Sequence, residues 1–506
     1  LSLFVPRPAP QGLAPAVWRI GGTPADTVVY EYGSPPECAV HVEKPYPQTK
    51  CLSQERWLEI LAFAKAAGVS LSFGISGLYG RPSPSEPMNI SNAEAFMAAT
   101  ASLDPSATEA LFAYQLGNEL GNGRPGHYRA NPEVLAADVL RLRTVINGLW
   151  ADDRRPLFVG PDSSPSKDYY KPYLSVAAPA LNATTFHSYA CGSRGNGGGP
   201  CQNLLLSADG IRGDDGAAHD TVDYAADSPA PDLAVWGGEV GPAYGGGVTG
   251  LSNRFGDMLW WVDHLARLQA IGVQTFARST LLGGSYELVN RSTHDPNPSY
   301  FASLAYHRLM GARSFQTAVT GSTDVLAHST CTAAGRSPAP AARGIRSGRT
   351  ESGRLTHEHV FAGQSAARRL RDSTIAASPC ASALDAAAGA VTAVVMTADN
   401  ATSTNLTITV GANNIASGHA CVWHFRSLAE VTRDGPLYGS TGVQWLDGSS
   451  SSWTTLSVGP APGFALPALA SPVVVPVTDG GVPVTLGPLE YAFVVIPDAG
   501  VPVCAH

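Results

Sequence analysis

The sequence predicts an α/β chain, a (β/α)8 TIM barrel over residues 1–311 followed by an all-β sandwich domain over 312–506. Three observations lead there. Helix-like and strand-like apolar patterns alternate for roughly 250 residues, which is the rhythm of a barrel. No GxGxxG turn opens that alternation, so a doubly wound dinucleotide fold is disfavoured. From about Ala312 the pattern changes to short alternating strands, as in a sandwich.

In chain order, Leu1–Pro10 is interrupted by prolines and resists assignment. From Ala16, AVWRIGGT reads as a buried strand ending at the turn Gly21-Gly22-Thr23, where the backbone can approach a ligand closely. Trp57–Ala67 has helical period and feeds, through Gly68, the strand Val69–Ile75. The alternation continues with Ala93–Thr100, the strand Ala113–Leu116, the helix Pro132–Trp150 and the strand Pro156–Val159, which ends at Gly160-Pro161-Asp162. Tyr169–Ala178 follows as a helix, Ala183–Tyr189 and Leu233–Trp236 as strands, Arg254–Ala270 as a helix and Val273–Ala277 as a late strand. In the second domain the strands are Val391–Met396, Asn405–Val410, Cys421–Phe425, Thr454–Val458, Val473–Val477 and Tyr491–Ile496. Thr332–Ala388, rich in Arg, Ala, Ser and Pro, reads as a disordered surface insertion.

Composition narrows the function. A chain of 506 residues that is 44% hydrophobic has material for a barrel core and a smaller second one. A net charge of -8 without a Lys/Arg run argues against nucleic acid as partner. No apolar run approaches the ~20 residues needed for a transmembrane span. The 8 cysteines include no CxxC pair, so no zinc or redox centre is expected, and disulfides in an oxidising compartment fit better. Sequons at Asn89, Asn182, Asn290, Asn400 and Asn405 agree, and a secreted, extracellular or vacuolar/lysosomal location follows, with peripheral membrane association compatible with it. The oligomeric state is not legible.

The chemistry centres on Ala113–Gly123, AYQLGNELGNG. An apolar run stops at Asn118-Glu119 between glycines, as a buried strand does when it brings a carboxylate to a barrel rim. In Leu233–Gly247, LAVWGGEVGPAYGGG, a second apolar run stops at Glu239 and opens into a glycine-rich loop. Two carboxylates on two strand ends are the minimum equipment for glycoside hydrolysis. Glu119 is the expected acid/base and Glu239 its partner. With the carboxylates about 5 Å apart, ionised Glu239 would favour a proton on Glu119.

QLGNEL and WGGEVGPAYGGG, preceded by RIGGT and accompanied by GPD at Gly160–Asp162, FHSY at Phe186–Tyr189, YELVN and DPNPSYFASL, occur in order. In them the chain resembles the heparanase and β-glucuronidase family of retaining glycoside hydrolases, from Gly12 to Met310 and again over Leu489–Cys504. The resemblance implies a TIM barrel with a β-sandwich, no metal and no cofactor, and a glucuronate-containing carbohydrate as substrate. Glu239 becomes the nucleophile, and Asn118 the partner of the sugar 2-hydroxyl. Tyr244, Gly245, Gly246, Gly247 and Tyr286 match the family's uronate-carboxylate contacts, while Thr23, His187 and Tyr189 match residues lining its cleft.

The same resemblance pairs Cys331 with Cys504. Cys38–Cys51 and Cys191–Cys201 suit local bridges, which leaves Cys380–Cys421. Arg278 falls on a strand end, where it orients a glutamate or pairs with a buried acid, and Trp260 and Trp261 read as core. The family's Gln after the Arg278 position is Ser279 here, the basic heparin-binding clusters have no counterpart, and Tyr32–Cys51 is too short for an excised linker. The family's first strand should precede Gly12, where only Leu1–Val5 is available, so it is expected to be a remnant or missing. These features point to exo-acting removal of terminal β-linked glucuronate. The alternatives are a heparanase-like endoglucuronidase, a catalytically inactive carbohydrate-binding relative, and an arabinofuranosidase using the same Asn-Glu pair.

Overall fold

In a computed structural model, residues 12–33, 50–122, 128–192, 199–213, 215–333, 346–349, 355–358, 380, 389–399, 401–411, 415, 417–428, 443–447, 452–456 and 471–504 are described. Seven parallel strands form the barrel sheet in chain order: β1 Val17–Ile20, β2 Ser70–Ile75, β3 Leu111–Leu116, β4 Leu157–Ser163, β5 Ala183–Gly192, β6 Ala234–Tyr244 and β7 Val273–Arg278. Cα atoms of β1 and β7 approach within 8 Å, so the sheet is nearly closed among the described residues. The expected remnant at Leu1–Val5 lies outside them.

Local chemistry sets these elements. Ser53 caps the helix Gln54–Ala67 by accepting from the Arg56 N–H, and Gly68 ends it at φ 68, a conformation that glycine adopts without strain. Asn131 caps Pro132–Leu149, accepting from the Val134 N–H, with Pro132 in the first turn where its missing N–H costs nothing. Asn182, read as a sequon, accepts from the Phe158 N–H at 2.9 Å and from Arg143 at 3.2 Å, so its carbonyl is part of the fold.

Two strands run on past their expected ends. β4 continues through Gly160-Pro161-Asp162 to Ser163, and β6 continues through Glu239 to Tyr244. Glu239 therefore lies inside a strand rather than at its end. The low strand propensity of glycine and proline hid this, and pairing of β6 with β5 as far as Gly192↔Tyr244 overrides it.

The second region is one eight-stranded sheet, its strands antiparallel, with a two-stranded sheet of Thr404–Ile408 and Val482–Leu486 beside it. Its central strands, VTAVVMT at Val391–Thr397 and YAFVVI at Tyr491–Ile496, are apolar at every step because both faces are covered. Val391, Val395, Ala492, Val494 and Ile496 pack toward Val482, Val484 and Leu486. Val394, Met396, Tyr491, Phe493 and Val495 face the other way and share a core with Phe255, Met258, Trp260 and Trp261 of the barrel region. Asp263 on the barrel helix Gly256–Ala270 accepts from His328 on the sheet at 2.7 Å and from Arg267 at 2.9 Å, adding a buried polar tie. Within 332–388 the strand Arg346–Arg349 pairs antiparallel with Leu355–Glu358, and most of that stretch lies outside the described residues.

Cys191–Cys201, Cys331–Cys504 and Cys380–Cys421 are bonded. Cys51 is also oxidised, and Cys38 lies outside the described residues. Cys331–Cys504 closes a separation of 173 residues, for which the chain-entropy picture gives about 5 kcal/mol. Replacing both cysteines by serine should lower the thermal midpoint by several degrees, measured by calorimetry, while far-UV dichroism at 20 °C stays unchanged.

Candidate active site

Parallel strands put all their C-terminal ends on one rim, and this rim gathers the polar side chains. β1 is apolar except for Arg19, and β3 supplies Gln115 with Asn118 and Glu119 just beyond it. β4 supplies Asp162, β5 His187 and Tyr189, and β6 Glu239. The register shifts beside both His187 and Glu239, at Phe186/His187 and at Gly237/Val240. Such irregularities re-aim side chains toward a common point.

Arg19 is the hub. Its Nε donates to Gln115 Oε1 at 3.0 Å, Nη1 to Glu239 Oε2 at 2.8 Å and Nη2 to Asn118 Oδ1 at 2.7 Å, with Nη2 also on Asp162 Oδ2. A Cβ on Gly21 would lie 2.9 Å from Nη2, so that glycine makes room for the guanidinium. Burial opposes the charge on Arg19, but Asp162 and Glu239 outweigh it and hold the guanidinium more firmly protonated than usual.

Glu119 and Asp162 both have positive φ, 54 and 57, without being glycine. That costs on the order of 1 kcal/mol each and is concentrated where function sits. The Glu119 N–H donates to the Asp162 carbonyl at 2.8 Å, locking the two turns together. Asn118 is fixed from below, its N–H donating at 2.9 Å to Asp26 Oδ1. Burial raises the Asp26 carboxyl well above the usual range.

His187 lies between the carboxylates. Nδ1 is 3.1 Å from Glu119 Oε1, and Nε2 is in ion-pair contact 3.1 Å from Asp162 Oδ1, although poorly aligned for a hydrogen bond. Burial alone would push the imidazole down; the charges of Glu239 and Asp162 and the close contacts with Asp162 and Glu119 raise it to about 9. Burial likewise raises Glu239, but His187, Arg19 and the Tyr189 hydroxyl prevail and hold it below the ordinary carboxylate range. Tyr189 donates to Glu239 Oε1 at 2.5 Å and shares a 2.9 Å hydrogen bond with Ser279 Oγ.

One oxygen of Glu119, one of Glu239 and one nitrogen of His187 lie within 4.8 Å of one another. By position alone this trio could grip a cation. An imidazole protonated on both nitrogens has no lone pair to give one. What the geometry offers is an ionised carboxylate facing a second carboxyl, one oxygen of each within 4.8 Å of the other, and double displacement at one carbon needs two carboxyl groups at such short range.

The other expected residues divide. Thr23, exposed on the short helix Thr23–Thr27, has Oγ1 3.5 Å from Asn118 Nδ2. Tyr244 is 47% exposed, with its ring edge-on to Tyr189 at 6.4 Å. Gly245, Gly246 and Gly247 all have positive φ. The Gly247 N–H is taken by the Ala243 carbonyl at 3.2 Å, whereas the Gly246 amide meets the Tyr286 hydroxyl. Burial first, then the charge of Glu239, raises the Tyr286 phenol, so this loop stands beside the carboxylates. Arg278 is not in the cluster: it pairs with buried Asp257 at 2.5 Å and lies over the ring of buried Trp261 at 4.7 Å.

Sequence reasoning passed over Arg19, Gln115, Asp26 and Asp162. For Arg19 a signal of burial was present, since a charged residue inside an apolar strand is buried and must be paired, but its partners could not be read.

Comparison with known proteins agrees with this picture. A model described as Glycosyl hydrolase family 79, N-terminal domain, matches residues 7–266. The chain is 30% identical over 336 residues to Heparanase-like protein 3 of Arabidopsis thaliana, covering 63% of this chain and 60% of that protein. It is 28% identical over 349 residues to Baicalin-beta-D-glucuronidase of Scutellaria baicalensis, covering 64% and 65%. Each match thus spans less than two thirds of the relative's length. Among solved structures, a 4-O-alpha-L-rhamnosyl-beta-D-glucuronidase from Fusarium oxysporum 12S superimposes with TM-score 0.58 at 15% identity, over 96% of this chain and 90% of that one. A GH51 arabinofuranosidase from Xanthomonas axonopodis pv. citri gives 0.57 at 12%, over 97% and 89%. At such identities both show a shared fold only.

The raised His187 has a consequence for stability. Its contribution is full below pH 6.5, where the imidazole is protonated folded or unfolded, and is lost as the pH rises through about 9. Urea titrations should show unfolding free energy falling by on the order of 3 kcal/mol across that window. The fall should be absent in His187→Gln.

Proposed function

The chain belongs to glycosyl hydrolase family 79, and we propose that it is a retaining β-glucuronidase that removes terminal β-linked glucuronate by double displacement. The observation that carries this reading is the meeting of Glu119 and Glu239 within 4.8 Å, with Glu239 held ionised by Arg19, His187 and Tyr189. Relatedness to a baicalin β-D-glucuronidase supports the choice of sugar.

In the first step a carboxylate oxygen of Glu239 attacks the anomeric carbon as the bond to the aglycone oxygen breaks. Glu119 gives its proton to that oxygen, and an ester to Glu239 remains. In the second step Glu119 takes a proton from water, whose oxygen displaces Glu239 from the same carbon and restores both groups. Arg19 and Tyr189 leave one Glu239 oxygen pair fixed in direction, which limits the motion needed for attack. Asn118, turned by Arg19 on Oδ1, presents Nδ2 on the cleft side for the sugar 2-hydroxyl. Gly245 and the Tyr286 hydroxyl, the latter held by the Gly246 amide, supply neutral donors for the uronate carboxylate, which suit an anion without a lysine. Residues 1–311 form the catalytic unit in this reading, and 312–506 its β-sandwich companion. Three bonded cysteine pairs among the described residues support a destination on the secretory route.

Hydrolysis of nitrophenyl β-glucuronide, set beside heparan sulfate oligomers and a nitrophenyl arabinofuranoside, decides among substrates. Turnover of the glucuronide is expected, and preference for either of the others overturns the exo-glucuronidase assignment. Glu239→Gln should lose about 10³-fold or more in kcat and fail to be labelled by a fluoro-glucuronide that labels the unmodified chain. Glu119→Gln should lose about 10²–10⁴ in kcat/KM on an alkyl glucuronide and far less in kcat/KM on the nitrophenyl one, whose leaving group needs no proton, while kcat falls on both because the second step still needs the base.

A further inference from the structure

Both reactive carboxylates are held by cations, and both cations end on the same third acid. Asp162 is wholly buried, as its 0% exposure shows, so it is walled off from any sugar in the cleft. Its Oδ2 holds Arg19, whose Nη1 reaches Glu239 at 2.8 Å. Its Oδ1 faces His187 Nε2 at 3.1 Å, and the far side of that ring reaches Glu119 at 3.1 Å. Its carbonyl accepts the Glu119 N–H at 2.8 Å, and its own N–H donates to Thr185 Oγ1 at 2.7 Å.

We propose that Asp162 is a positioning residue that fixes the relative placement of Glu119 and Glu239 through Arg19 and His187, without itself contacting substrate. This rests on the glycosidase reading above. Two details show that the position is built for a carboxylate. The residue is held at φ 57, which is strained for any side chain but glycine, and that bend turns its carbonyl to Glu119 and its side chain to both cations. The neighbouring strand leaves it a slot: a Cβ on Gly238 would lie 2.4 Å from Asp162 Oδ1. Removing the anion would leave Arg19 and the imidazolium with one partner fewer in a buried site. The His187 proton would then be lost at lower pH, and with it the positive charge beside Glu119. The charged and titratable groups around Asp162 are Arg19 on β1, Asp26 on Thr23–Thr27, Glu119 beyond β3, Tyr170 and Tyr173 on the helix Lys167–Ala177, His187 on β5 and Glu239 on β6.

The test uses the full chain with Asp162→Asn, which keeps the shape, and Gly238→Ala, which keeps every charge and crowds Oδ1. Both should lower kcat on nitrophenyl β-glucuronide by about 10²-fold while KM stays within a small factor, the pattern of misplaced reacting groups rather than lost binding. Ring-labelled histidine NMR, with the His187 signal assigned by its loss in His187→Gln, should find it titrating near 9 in the unmodified chain and at least about one pH unit lower in Asp162→Asn. Unchanged kcat in Gly238→Ala, equal losses spread into KM, or an unmoved His187 titration each overturn the proposal. Should Asp162→Asn fail to fold, the kinetics of Gly238→Ala decide the matter. An unmodified chain that turns over no glycoside refutes the glycosidase reading instead, and the histidine titration still decides whether Asp162 governs His187.

Discussion

The site depends on one guanidinium placed where a barrel interior would ordinarily be apolar. Arg19 directs its donors to Gln115, Asn118, Asp162 and Glu239, which come from three other strands or the turns that follow them. Burying such a charge is tolerable only because anions face it on two sides, and burying those anions is tolerable only because Arg19 and His187 face them. The planar fork matters as much as the charge. A lysine could neutralise one carboxylate, but it could not span Glu239 and Asp162 while steering an amide.

The fold provides this arrangement through its irregular places. Regular parallel pairing alone would alternate side chains in and out of the barrel without bringing these eight polar groups together. Register shifts in β5 and β6 turn His187 and Glu239, and two positive-φ residues, Glu119 and Asp162, join the turns after β3 and within β4. Small residues then admit the bulky groups. Gly21 lies under Arg19, Gly238 beside Asp162 and Gly241 against the Tyr189 ring, each too close for a side-chain carbon.

The large features are legible in the sequence because they follow from periodicity: the helix–strand alternation, the switch to short strands near Ala312, and the apolar runs that stop at acids. Glu119, Glu239, His187 and Tyr189 are indeed neighbours. What could not be read depends on pairing. Nothing in GGEVGPAY says that it extends a strand until β5 is beside it. Helices at Gly199–Leu206, Ala208–Arg212 and Gly216–Ala226 escape a reading by period, since glycine and alanine blur it. Arg19 and Asp162 stand in the sequence only as letters of RIGGT and GPD, because a contact between residues far apart in the chain has no local signature.

The strand Tyr491–Ile496, close to the last described residue, has one face in the core that contains Trp260 and the other against Val482 and Val484. Its side chains thus complete a hydrophobic wall for the very helix that buries Arg278 and Asp257 behind β7. A nascent chain emerging from the ribosome would carry this helix well before the strand that completes the wall is made. The barrel half made first would meanwhile present a greasy, unfinished flank, open to misassociation and to whatever helpers shield such surfaces.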